Sequence, residues 1–473
     1  MNHIDRILKH ASRAKIKLLV GCAGSLALAA ALIILSPKTV TSESPLLPNN
    51  LPFENASGLH ATFSTSGSID LRNEFFQNLG TNGRSCGTCH RAEEGWTITP
   101  AGVQARFDRT KGTDPIFRTN DGSNSPNADV STVKARRAAY SMLLTKGLIR
   151  VGIGISNDAE FELIAVDDPY EFASSSELSL FRRPLPSTNL KFLSTVMLDG
   201  RETFSGQTIH FDLSHQSNSA TVTHAQGADL TDQQRESIVA FETGLFTAQI
   251  YDEHAGRLNA RGAKGGPVHV ANQEFYLGIN DLFGDSKTGE PFDPIVFNIY
   301  DAWKGLSDKG QNRSRAAVAR GEELFNTKLI RISEVSGIND EAAFGTPAVV
   351  NGSCTTCHDT PNSGNHSVAA PLNIGLTDIE RRTPDMPLYT LRNKVTGEIK
   401  VTTDPGRALI TGQWKDIGRF KGPILRGLAA RAPYFHNGFA KDLKAVIDFY
   451  DERFAIGFTE QEKADLLAFL RTL

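Results

Sequence analysis

Cysteine is scarce, at five residues in 473, so the chain is no small scaffold stapled by disulfides and any repeated use of a thiol carries information. Charge of one sign is missing too. Fifty Lys and Arg face 53 Asp and Glu, for a formal net charge of −3, and no basic run occurs beyond Lys17. Nucleic acid is therefore excluded as a partner. Long apolar runs are absent with one exception, Leu18 to Leu35, which follows Arg6, Lys9, Arg13, Lys15 and Lys17 and ends at Ser36-Pro37. A basic segment ahead of an apolar one is an export signal, and residues 1–37 read as either a signal peptide or an N-terminal membrane anchor. Both readings place the remainder in the periplasm. Cys22 stands at the start of the apolar run rather than its end, and reads as a passive apolar residue rather than a lipidation site. Residues 38–52, rich in Ser, Pro and Asn, read as a linker.

The other four cysteines fall in two copies of one pattern, SCGTCH at Ser85 to His90 and SCTTCH at Ser353 to His358. Two cysteines three apart can form a redox disulfide, give half of a zinc site, or take the vinyl groups of a haem as thioethers. Only the last use needs the adjacent histidine. A four-thiolate zinc site or two disulfides would leave both histidines unexplained. The pattern predicts two c-type haems, attached through Cys86, Cys89, Cys354 and Cys357, with iron ligated by His90 and His358. Covalent haem attachment occurs outside the bacterial inner membrane, in agreement with export.

An internal repeat sets the organisation. LTDQQRESIVAFETGL (residues 230–245) and FTEQEKADLLAFLRTL (residues 458–473) each open on a capping box, Thr231 with Gln234 and Thr459 with Glu462, and Ile238/Phe241/Leu245 match Leu466/Phe469/Leu473 on one apolar face. Each predicted helix follows a haem motif. The reading is a mainly α protein of two cytochrome c-like haem domains, residues 53–255 and 313–473, with long loop insertions and a few short strands. GLIRVGIG (Gly147–Gly154) and FELIAVDDPY (Phe161–Tyr170) predict a short hairpin. Residues 256–312, rich in Gly, Asn and Asp, read as an inserted surface connector. Asp121, Asn124, Asp129 and Asp285 lie in polar turns that could serve calcium.

One segment, FKGPILRGLAARAPYFHNGFAKDLKAVIDFY (Phe420–Tyr450), resembles the signature of the bacterial di-haem cytochrome c peroxidases and the related MauG group, in which a Pro-Tyr-Phe-His turn lies over the second haem. ARGEELFNTK (Ala319–Lys328) resembles the opening helix of their second domain. The resemblance implies that His436 contacts the second haem. It also implies that the residue fourteen beyond that histidine is an axial ligand, a methionine in the peroxidases and a tyrosine in MauG; here it is Tyr450. His358 and Tyr450 are the expected pair on the second iron, with Met386 as rival ligand and with packing of Tyr450 on a helix face as the alternative. Met142 and Met197 read as core.

VMLDGRE (Val196–Glu202) resembles a family segment that carries an interhaem tryptophan; Leu198 replaces it, which leaves Arg201 for haem contacts and Trp96 or Trp414 as substitutes for the lost ring. On the distal side of the first haem, the resemblance puts Gln216 and Gln226 at two family positions. His224, two residues before Gln226, is the group able to transfer protons near neutral pH. His210 and His215 are alternative distal ligands. The implied activity is reduction of hydrogen peroxide or another small oxidant, with electrons from a small periplasmic donor, a cytochrome c or cupredoxin. The alternatives are a plain electron-transfer cytochrome, or MauG-like or oxygenase-type oxidation of an unknown substrate.

Overall fold

Thr231 and Thr459 start the two repeated helices through reciprocal hydrogen bonds. Thr231 Oγ1 accepts from the Gln234 amide at 3.3 Å while the Gln234 side chain accepts from the Thr231 amide at 3.0 Å; for Thr459 and Glu462 the distances are 3.2 and 2.8 Å. The helices run Asp232–Thr243 and Glu460–Leu470. Their apolar faces enter different cores, Ile238 beside Phe75 and Trp96, Leu466 and Phe469 beside Phe297, Tyr300 and Phe325. The second closing helix packs on the helix Gln311–Thr327. A Cβ at Gly321 would lie 2.0 Å from the Asp465 carbonyl oxygen, so only glycine permits this approach. Arg320 then grips Asp465 with two bonds of 2.8 Å.

The computed structural model describes residues 44–473; the export segment and Cys22 lie outside the described residues. Residues Pro45–Leu473 cluster as one unit. Ten α-helices and thirteen strands occur among them, so helix and sheet are mixed and the expectation of a mainly α fold is corrected. The largest sheet is antiparallel in the order Pro52–Asn55, Gly58–Ser64, Leu245–Asp252, Gly256–Arg257. It pairs Gly58–Ser64 with the strand that leaves the first closing helix, a pairing across nearly two hundred residues that local pattern does not announce.

The expected hairpin is also corrected. Ile149–Ile153 pairs with Leu178–Arg182, and Phe161–Asp167 with Leu388–Asn393. Alternation identified both strands, but partner choice came from burial against Tyr389, Leu391 and Trp414. Residues 256–312 are not surface throughout, because Val296, Phe297, Ile299, Tyr300 and Trp303 are buried in the core of the second closing helix. Among the described residues no helix is long and apolar enough to cross a membrane.

Candidate haem cavity

The two Cys-x-x-Cys-His motifs fold alike. Each opens on a serine whose amide donates to a threonine three residues on, Ser85 to Thr88 and Ser353 to Thr356, both at 3.0 Å. A single 3₁₀ turn follows, Cys86–Thr88 or Cys354–Thr356. The motif histidine then bonds back to the first cysteine, His90 N to Cys86 O at 3.0 Å and His358 N to Cys354 O at 3.1 Å. Each imidazole uses Nδ1 on a carbonyl six residues ahead, Trp96 at 3.0 Å and Gly364 at 2.6 Å. The carbonyl only accepts, so Nδ1 carries the proton and Nε2 keeps its lone pair, the tautomer an iron ligand needs. Burial pushes both histidines down to about 4, which favours the neutral ring.

Both motifs open into one largely apolar cavity of about 470 Å³. Burial pushes its thiols up, Cys354 and Cys357 to about 12, the reverse of a thiolate metal or redox site and compatible with thioether attachment. Arg183, Lys421 and Arg431 line the same space and form no ion pair among the described residues. Lys421 Nζ donates to the Thr195 carbonyl at 2.9 Å, while Arg431 Nε and Nη2 are buried without any partner. A buried, unmatched guanidinium needs an anion, and haem brings carboxylates into an otherwise apolar space. The residues present therefore fit the group.

The first-motif end of the cavity is polar. The helix Ile209–His224 is capped by Thr208 and turns Leu213, Gln216, Ser217, Ala220, Thr221 and His224 towards the cavity, the spacing of one helix face. His224 Nδ1 lies 2.6 Å from Asp121 Oδ2. Asp121 also pairs with Arg84, which donates to the carbonyls of Pro115 at 2.8 Å and Ile116 at 2.6 Å. Burial pushes the Asp121 carboxyl up, but the His224 hydrogen bond and the Arg84 charge outweigh it and hold the group below its usual range. Across the cavity, Glu242 on the first closing helix is buried with Oε2 unpartnered, and burial pushes it up to about 7.

The second-motif end is aromatic. Tyr450 lines the cavity from the helix Leu443–Phe454, ringed by Phe435, Phe449 and Phe454 at centroid distances of 6.2, 5.4 and 6.2 Å. Its hydroxyl has no hydrogen-bond partner among the described residues, and burial, with Cys357 and Cys354 nearby, pushes it up. His436 stacks on Phe420 at 4.4 Å and has a buried, unpartnered Nδ1.

Known proteins resemble this chain in part. No family model matches it. Over 140 residues it is 31% identical to the cytochrome-c peroxidase IdrP1 of Pseudomonas sp. (strain SCT), a match that covers 25% of this chain and 36% of that protein. Over 132 residues it is 30% identical to the cytochrome-c peroxidase IdrP2 of Denitromonas iodatirespirans, covering 26% and 36%. Over that quarter of its length the chain is similar to cytochrome-c peroxidases. The match spans about a third of the length of these curated peroxidases. Among solved structures, a MauG-like protein associated with microbial copper homeostasis aligns over 90% of this chain and 92% of that chain, with 18% identity and a TM-score of 0.38.

The remaining positions suggested by the peroxidase resemblance are dispersed. Gln226 faces away from the cavity, its side chain 3.4 Å from Asn82 Nδ2. Arg201 is bound to Asp199 at 3.1 Å and does not line the cavity, whereas Met197 and Leu198 just before it do. Met386 packs with Met142, Leu148 and Phe181 in a separate cluster. His210 and His215 pair with Glu236 at 3.0 Å and Glu202 at 2.5 Å. Trp96 supplies the carbonyl under His90, and Trp414 sits in another core, its Nε1 on Glu398 at 2.9 Å.

The residues named for calcium spend their oxygens elsewhere. Asp121 serves Arg84 and His224, Asn124 serves Met142 N, Asp129 serves Ser131 N, and Asp285 accepts from Tyr276 and three backbone amides. Among the described residues no group of three His, Cys, Asp or Glu is placed to hold a metal ion. Sequence reasoning missed Arg84, Arg183, Glu242, Lys421 and Arg431. Position offered a signal for most of them, since Arg84 stands two residues before Cys86, Glu242 lies in the first repeat, and Lys421 and Arg431 lie in the Phe420–Tyr450 segment.

Proposed function

We propose that the chain is an exported, periplasmic di-haem oxidoreductase, free or membrane-anchored at its N-terminus, that reduces hydrogen peroxide with electrons from a small cytochrome c or cupredoxin. The observation that carries this reading is the single cavity reaching two Nδ1-anchored motif histidines, with the Asp121-held imidazole of His224 lining it at the first-motif end. Residues 53–255 and 313–473 would each contribute one motif. When bound, the two haems supply one-electron transfer and an iron position for peroxide.

The chain's own residues divide the work. Cys86, Cys89, Cys354 and Cys357 attach the groups, and His90 and His358 present Nε2. Arg183, Lys421 and Arg431 offer cations to carboxylates. Asp121, fixed by Arg84, accepts the Nδ1 proton of His224 and leaves Nε2 to take a proton from peroxide and return it to the departing oxygen. Gln216, on the same wall, can orient a small oxidant but cannot exchange protons. Two electrons and two protons enter for each peroxide converted to two waters. Tyr450 favours a second reading, MauG-like oxidation of another substrate, because a phenolate raises electron density on iron where a thioether does not.

The test is spectroscopic. Visible and paramagnetic resonance spectra of the oxidised protein, repeated after one-electron reduction and after peroxide, should show one high-spin iron that responds to peroxide, with the response lost in His224→Ala. Two low-spin, unresponsive irons in every state would leave an electron carrier.

A further inference from the structure

A second, much smaller pocket lies apart from the haem cavity, under the connector. Arg426 forms its floor at 1% exposure, and Asn362, Gln273, Lys264 and His269 make its polar wall. The guanidinium is poorly served. Nε and Nη2 have no partner, and Nη1 reaches only the Asn362 carbonyl at 3.4 Å. No carboxylate lines the pocket, and Arg426 forms no ion pair among the described residues. Glu322, a carboxyl whose charge reaches Arg426, gives its oxygens to the Ile299 and Tyr300 amides at 2.7 to 3.1 Å, and burial pushes it up to about 7, so its negative charge is incomplete near neutrality.

We propose that this pocket is a binding site for one small monatomic anion, chloride in the first instance, held by Arg426 and reached from solvent past the exposed Lys264 and His269. Water would satisfy the idle N–H groups but leave the buried charge unmatched; an anion does both. The volume, about 10 Å³, leaves room for one small ligand and none for phosphate or sulfate. Asn362 Nδ2 donates to Gln273 Oε1 at 3.2 Å and to Asn298 Oδ1 at 3.1 Å, so the wall is ordered without an ion and the idle donors that face one are those of Arg426.

The test uses the full haem-loaded chain and sodium chloride, bromide or gluconate at constant ionic strength. Chloride and bromide should raise the melting temperature saturably over gluconate, by roughly 2–5 °C at saturation. Lys264→Glu, at the exposed mouth, should shift that response to at least several-fold higher halide, and Arg426→Gln should abolish it. If Arg426→Gln does not fold, the native and Lys264→Glu titrations still decide. Crystals soaked in bromide should show an anomalous peak beside Arg426. A native melting temperature that is the same in halide and gluconate, or a bromide-soaked crystal with no anomalous peak there, overturns the proposal.

Discussion

The two motif environments share a scaffold and differ in what faces it. Serine cap, 3₁₀ turn, histidine and Nδ1-to-carbonyl bond are repeated almost atom for atom, at 3.0 Å and 2.6 Å for the last contact. Opposite the first motif stands a charged relay, His224, Asp121 and Arg84; opposite the second stands an aromatic box around Tyr450. The part that resembles its counterpart is the part that would hold a cofactor, and the part that differs is what faces it. A carboxylate-held imidazole faces one site, while an unpartnered phenol and the unpaired His436 ring face the other, an asymmetry that fits the proposed division between chemistry at one iron and electron relay at the other.

The comparison is broken most severely at the cysteines. Cys86→Ala and Cys354→Ala should each lower haem content from two to one per chain by pyridine haemochrome assay and loosen the affected core; retention of two would reject attachment there. Next comes His224→Ala, expected to reduce peroxide kcat/KM by about 10²–10⁴ while leaving the signal of the second-motif haem unchanged. An equal loss from Tyr450→Phe would erase the proposed asymmetry.

A third test compares two buried carboxyls, Glu242 beside the first motif and Glu322 in the core of the second, both pushed up to about 7 from 4.5 by burial. Folded chains keep these protons where unfolded chains release them, so their contribution to stability is present below about pH 4.5 and lost as pH rises through 7. Glu242→Gln and Glu322→Gln should therefore raise stability at pH 8, by at most roughly 3 kcal/mol each, and change it little at pH 5. Denaturant midpoints at both pH values check this. Smallest in stability is Tyr450→Phe, worth under about 1 kcal/mol because the hydroxyl has no partner to lose. Its reading lies elsewhere: the second haem's reduction potential and resonance spectrum should shift, and identical values would assign Tyr450 to packing alone.

Local chemistry was legible in the sequence and long-range pairing was not. The motifs and closing helices were readable because their determinants lie within six residues of one another: Thr88 Oγ1 accepts from the Ser85 amide, and Thr459 answers Glu462. His224 stood out by residue type and does line the cavity, but its partner Asp121 lies about a hundred residues away in a turn-rich stretch that suggested calcium. Gln226 and Arg201 were chosen by position along a related pattern. A left-handed backbone at Gln226, φ 54°, and the pull of Asp199 on Arg201 send both elsewhere. Trp303 and its neighbours hid among Gly and Asp residues because average composition does not reveal which few side chains turn inward.

The strand Phe161–Asp167, bonded along its length to Leu388–Asn393, stitches the first half of the chain to the second. A protease nicking the exposed turn at Gly284–Glu290 would not release two independent single-haem proteins. The fragments would travel together through a sizing column and part only in denaturant, so the two halves are to be engineered together rather than as separable modules.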